Sequence, residues 1–187
     1  MGQRLNIEIV ENGKCLANAY YHWSAYTTPS AGFAKQIINY IPNVKEENSV
    51  LRAIKLLEIT GALLMESEVE YAKTLGISDL KTATSRNDGL ISISENGINE
   101  TRKWQEYALY IYLDENRMNF QVVWNQEQWD WEKDNKGAKA SALPVYDIDF
   151  IDIKFDEIDD FCKFIDEHHD EEFRTKLNQW TVTQMIY

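Results

Sequence analysis

The sequence is short of the residues that build cross-linked, low-complexity or membrane-spanning chains. It has two cysteines, three prolines and eight glycines in 187 residues. Cys15 and Cys162 alone cannot form a disulfide framework or a zinc site, and read as small apolar side chains in a reducing compartment. So little Gly and Pro, with 44% apolar residues, excludes a disordered chain. No apolar run reaches the ~18 residues of a transmembrane helix. The N-terminus lacks the basic-apolar-small order of a signal peptide, and Asn6 spoils a myristoylation signal after Met1-Gly2. The expected location is the cytoplasm, and the length suggests one domain. No phosphate-binding glycine loop, dinucleotide fingerprint, nucleophile elbow or paired CxxC occurs, so no cofactor is expected.

Basic residues are scarce too: 19 Lys and Arg face 31 Asp and Glu, a net charge of −12. The imbalance is local. Val145 to Glu172 holds 12 acids and two lysines, while the other 159 residues carry a net −2. A segment this negative repels nucleic acid and anionic membrane and attracts a basic partner. It is also what a solvated face looks like.

Periodicity outlines the elements. Leu5, Ile7 and Ile9 alternate with Arg4, Asn6 and Glu8, as in a half-buried strand. Asn12-Gly13 is a hairpin turn, and the return strand runs from Cys15 to about Trp23. Thr28-Pro29 opens a helix that Pro42 ends. Asn48 or Ser49 opens another, carried by Leu51, Ile54, Leu57 and Leu64 with a possible break at Gly61, and a third spans Glu66–Leu75. A strand at Leu90–Ser94, a second Asn-Gly turn at Asn96-Gly97, and a hairpin of Glu106–Leu113 with Met118–Trp124 follow. Val145–Phe155 is a strand whose apolar phase slips between Phe150 and Ile151, as at a bulge. Asp156 caps an acidic helix, with Ile158, Phe161, Ile165, His169 and Phe173 in its apolar stripe. The expected fold is α+β: an antiparallel sheet of about five to seven strands built from hairpins, with helices packed on one face. Its parts are a hairpin over 3–23, a helical block over 28–76, a sheet over 90–155 and an acidic helix over 156–178.

Three groups of residues are candidates for function. Asp147 and Asp149 share one side of a strand, while Asp160, Glu167 and Glu171 share the outer face of the acidic helix. Such a row of carboxylates can imitate a phosphate backbone and occupy a nucleic-acid groove. Asp147 and Asp149 also suit a divalent cation, but no ligand loop surrounds them, and no metal is expected. The second group lies at a strand-to-helix junction, where free N–H groups favour ligands: His22, Trp23 and Tyr26, with Ser24 two residues from His22 as a conceivable base and hydroxyl. The third is the turn at Arg86 and Asn87, with Arg102 further on, offering guanidinium forks to a phosphate or carboxylate. An ordinary Asp88-Gly89 turn accounts for the same residues. His168 and His169 diverge by ~100° on a helix and do not suit one ion.

The opening Met1–Ile9, the run Tyr20–Thr27 and the turn Ser85–Ile91 together resemble small uncharacterised proteins of phages and prophages of Gram-positive bacteria. The resemblance covers roughly the first two-thirds of the chain and carries no catalytic residue. It implies a setting in which small acidic proteins act as antagonists of host defence, anti-CRISPR proteins among them. The leading expectation is a non-enzymatic protein in the host cytoplasm. It binds a basic, nucleic-acid-binding host protein through the acidic surface, contacts neither nucleic acid nor membrane directly, and could act as a homodimer. The alternative is a sponge for a nucleotide immune signal, built on His22, Trp23, Tyr26, Arg86, Asn87 and Arg102. A hydrolase using His22 or an Asp147/Asp149 metal site ranks third.

Overall fold

Asn12 and Gly13 both have positive φ, 52° and 71°, the pair of left-handed residues that a two-residue hairpin turn requires. They join β1 (Leu5–Glu11) to β2 (Lys14–Tyr21). The structure, a computed structural model, describes residues 4–24, 27–83, 89–122, 150–168 and 180. After the hairpin come α1 (Thr27–Tyr40), α2 (Ser49–Glu58), β3 (Leu63–Met65), α3 (Val69–Thr74), β4 (Thr82–Ala83) and β5 (Gly89–Ser92). Then follow α4 (Glu95–Arg102), β6 (Tyr107–Tyr112), β7 (Arg117–Val122), β8 (Phe150–Lys154) and α5 (Ile158–Glu167).

The fold is α+β, with one eight-stranded sheet in the order β4-β3-β5-β2-β1-β6-β7-β8. Hairpins supply β1–β2 and β6–β7, as expected from the turns, but the sheet is mixed rather than wholly antiparallel. β1–β6, β3–β5 and β3–β4 run parallel. Parallel neighbours need long crossovers, and the helical segments between the strands provide them.

Alternation along β1 divides the molecule. Leu5, Ile7 and Ile9 are fully buried in the main core with Ala17, Ala19, Leu109, Ile111, Phe120, Ile151 and Ile153. This face carries α1, α2 and α5: Phe33 of α1 stacks on Tyr21 at 4.9 Å, and the Cys162 thiol of α5 donates to the Ala31 carbonyl of α1 at 3.4 Å. Asn6, Glu8 and Asn18 point the other way and are buried as well. That second face is polar, and α4 lies on it, so the helices occupy both faces rather than one.

Several local expectations change. α2 is capped by Asn48, whose Oδ1 accepts from Val50 N and Leu51 N at 3.0 and 3.1 Å, but it ends at Glu58, and Leu64 belongs to β3. Asn96-Gly97 is not a turn between strands. Ser94 caps a helix there, its Oγ accepting from Gly97 N at 3.1 Å, and the capping serine outweighs the Asn-Gly signal. β8 pairs with β7 without a register break from Phe150 to Lys154, so the bulge is absent there. A register shift lies instead between Ile9 and Val10 of β1. The acidic helix begins with a 3-10 turn, Phe155–Glu157, and Glu157 rather than Asp156 closes it by accepting from Lys154 N at 3.0 Å.

Candidate ligand-binding cavity

The site is built on the polar face of the sheet, where α4 is fastened by side-chain pegs more than by apolar contact. Ile98 is its one buried apolar residue. Arg102, at its C-terminal end, forks onto Glu8 of β1, Nε to Oε1 at 2.7 Å and Nη2 to Oε2 at 2.6 Å. Asn18 of β2 donates to Thr101 Oγ1 at 2.6 Å, and Asn6 of β1 donates to Gln105 Oε1 at 2.8 Å. At the other end Glu68 accepts from Ile93 N, Ser94 N and Ser94 Oγ at 2.9, 2.6 and 2.8 Å. Burial and then the nearby Glu8 carboxylate push the Cys15 thiol far above its ordinary range, against the pull of Arg102. Cys15 is therefore a protonated filler and not a nucleophile.

Beside this seam lies a cavity of about 470 Å³ that is broadly open to solvent. Its strand side comes from Arg4 just before β1, Tyr20 and His22 at the end of β2, Leu90 of β5 and Met65 of β3. Its helix side comes from Glu100 and Thr101 of α4 and from Trp104. The pegs thus fix one wall against the other. The volume suits a small ligand, for which pockets run to ~300–1,000 Å³. Trp104, in the lining, is 53% exposed; Trp23, outside the lining, is 60% exposed and meets the ring of the lining residue His22 edge-on at 4.7 Å. Exposed indoles beside a concavity are a recognition feature, since they bring apolar area at little entropic cost. The Arg4 guanidinium lies 5.6 Å from the Trp104 ring centroid, within cation–π range. Its Nη1 is buried without a hydrogen-bond acceptor. Glu106 takes the Arg4 backbone N–H at 2.9 Å.

The sequence candidates divide around this geometry. His22 lines the cavity, and Trp23 adjoins it. His22 Nδ1 lies 3.3 Å from the Tyr20 hydroxyl, so its partner is Tyr20 and not Ser24, whose carbonyl accepts from Ser30 Oγ at 3.1 Å. Among the described residues no hydrogen bond joins His22 to Ser24. Arg102 is not in the cavity lining, and its Nε and Nη2 are held by the buried Glu8 carboxylate. Tyr26, Arg86 and Asn87 lie outside the described residues. Arg4 and Trp104 escaped the sequence reading. Arg4 had counted only as a polar position in an alternating strand, and nothing in the sequence marks Trp104 as its neighbour.

Of the acidic group, Asp160 and Glu167 are exposed on α5, as expected, while Asp147, Asp149 and Glu171 lie outside the described residues. Three acids of the segment are matched by cations: Asp159 by Lys35 at 2.8 Å, Asp152 by Arg117 at 2.8 Å, and Glu167 by Lys163 at 4.0 Å. Asp156, Asp160 and Asp166 are exposed and form no salt bridge among the described residues, though Lys35 also interacts with Asp166 electrostatically. Among those residues no cluster of His, Cys, Asp or Glu could hold a metal ion, and no helix is long and apolar enough to cross a membrane. No protein-family model matches the chain, and neither the curated proteins nor the solved structures yield a similar protein.

Proposed function

We propose that the protein is a non-enzymatic binder of a small molecule, held in the cavity between the sheet and Trp104. The observation that carries this reading is a concavity lined by the exposed Trp104 indole, with its helix side locked to the sheet by the Glu8–Arg102 and Asn18–Thr101 pegs. Such a site needs little rearrangement on binding, which lowers the cost of holding a ligand. The resemblance to phage and prophage proteins supports a setting in the host cytoplasm, where the ligand is a signal to be sequestered. A thermal-shift panel of metabolites and nucleotides tests the reading. A ligand at about 100 times its Kd adds ~2.7 kcal/mol, or roughly 5–10 °C in Tm. The shift should vanish in Trp104→Ala; a panel with no shift sensitive to Trp104→Ala or His22→Ala contradicts the reading.

A second reading is the docking of a basic, nucleic-acid-binding partner on the acidic face of α5. It is favoured by exposed aspartates without a salt bridge among the described residues, Asp156 and Asp160 foremost. Capture of such a partner at low salt, lost on charge reversal at Asp160 and Glu167, supports it. Capture insensitive to both changes sets it aside.

A further inference from the structure

We infer that the ligand is a planar aromatic molecule carrying an anionic group, its ring against Trp104 and its phosphate or carboxylate on Arg4. This rests on the cavity being a ligand site and adds the chemistry of the occupant.

The two arginines of this face are in opposite states. Arg102 satisfies a buried carboxylate through a two-point fork. Among the described residues no carboxylate pairs with the guanidinium of Arg4, and its Nη1 donor is buried and unused. A buried donor without an acceptor is unfavourable, and an oxyanion supplied by a ligand, with a small turn of the side chain, would satisfy it. The carboxylates nearby do not fill this role. Glu100 is held by Lys103 at 2.7 Å, and Glu106 accepts from the backbone N–H of Arg4. His22 lies on the same wall, its Nδ1 3.3 Å from the Tyr20 hydroxyl.

Thr101 also lines the cavity, but its hydroxyl is taken by Asn18 and the Ile98 carbonyl; the other lining residues are apolar or aromatic: Leu90, Met65, Tyr20 and Trp104. A free anion alone would leave that surface wet. A neutral planar ligand would leave Arg4 unanswered, and a cationic one would meet Arg4 head-on. A ring with an acidic substituent satisfies both parts of the lining, and about 470 Å³ accommodates one of nucleoside-monophosphate size.

Isothermal titration calorimetry with four probes tests the assignment: AMP, adenosine, indole-3-acetate and inorganic phosphate. The expected result is that AMP or indole-3-acetate binds, and does so at least roughly tenfold more tightly than adenosine or phosphate. Arg4→Gln and Trp104→Ala should each weaken that binding roughly 10- to 100-fold, with partial retention in Arg4→Lys. Circular dichroism confirms that each variant is folded. AMP against indole-3-acetate separates a phosphate from a carboxylate ligand. Equal affinity for adenosine and AMP, or no loss in a folded Arg4→Gln, overturns the anion while leaving the site. Binding of none of the four at millimolar concentration also overturns the anion assignment. The site itself falls only if the wider thermal-shift panel is empty too.

Discussion

Glu8 and Arg102, 94 residues apart in sequence, meet through two parallel hydrogen bonds of 2.7 and 2.6 Å, with the Glu8 side chain 1% exposed. This fork is the strongest of the pegs that hold α4 to the sheet. A buried pair adds little over a well-packed apolar pair, but breaking it strands a charge. Arg102→Met should therefore destabilise the protein by roughly 3 kcal/mol, and Glu8→Leu/Arg102→Met should recover much of the loss. Urea denaturation of the three proteins measures both. A single variant within about 0.5 kcal/mol of the parent would show that the peg carries no stability.

Gly97 lies in the first turn of α4, where alanine ordinarily gains ~1 kcal/mol of helix propensity. Here a Cβ would overlap Glu68 Oε1 and come within 3.1 Å of Ser92 Cβ. Glu68 cannot swing aside without releasing Ile93 N, Ser94 N and Ser94 Oγ. The clash outweighs the propensity, and Gly97→Ala should destabilise by roughly 1–2 kcal/mol. A rise in Tm would contradict the close approach.

The thiols should differ in reactivity. Burial and Glu8 hold the Cys15 thiol protonated. Cys162 is raised as well, by burial first, though Lys35 acts against the shift. Under native conditions Ellman's reagent should modify Cys162 faster, and Cys162→Ser should remove the faster phase. Faster reaction at Cys15 would show that the α4 seam opens readily.

Alkaline pH should weaken the fold. Burial pushes the Tyr21 and Tyr110 hydroxyls up to about 12 from an ordinary 10. Between those values the unfolded chain releases protons that the folded chain keeps, so stability falls as pH rises from 10 toward 12 and is intact below 10. Tyr21→Phe should flatten part of that fall, even though it loses the hydroxyl's contacts with Thr60. Urea midpoints across this range measure the slope, and a midpoint independent of pH above 10 contradicts the burial.

Much of the fold was legible in the sequence because its signals are local. Asn12-Gly13 dictates a turn wherever it sits between extended runs, Asn48 caps the helix beside it, and the Leu5-Ile7-Ile9 alternation identifies the apolar face of β1, though not that its polar face is buried too. Asn96-Gly97 misled because its conformation depends on Ser94 and on distant Glu68. The parallel pairing of β1 with β6 has no local signature at all. For the site, His22 and Trp23 stood out as an aromatic run at a strand end. Arg4 and Trp104 arrive from just before β1 and just after α4, elements joined by pegs such as Asn18–Thr101 that only the folded chain shows. Arg102 looked like a free cation because its partner, Glu8, lay 94 residues away on the polar side of an amphipathic strand.

The most direct measurement is a titration of the protein, followed by backbone and indole N–H resonances, with the ligand that gives the largest thermal shift. The cavity account predicts that Trp104 indole, His22, Leu90 and Thr101 move together while the indole of Trp180, packed on Phe161 and Phe164 at 5.3 and 5.4 Å, stays still. Changes confined to α5, with Trp104 and His22 unmoved, would contradict it.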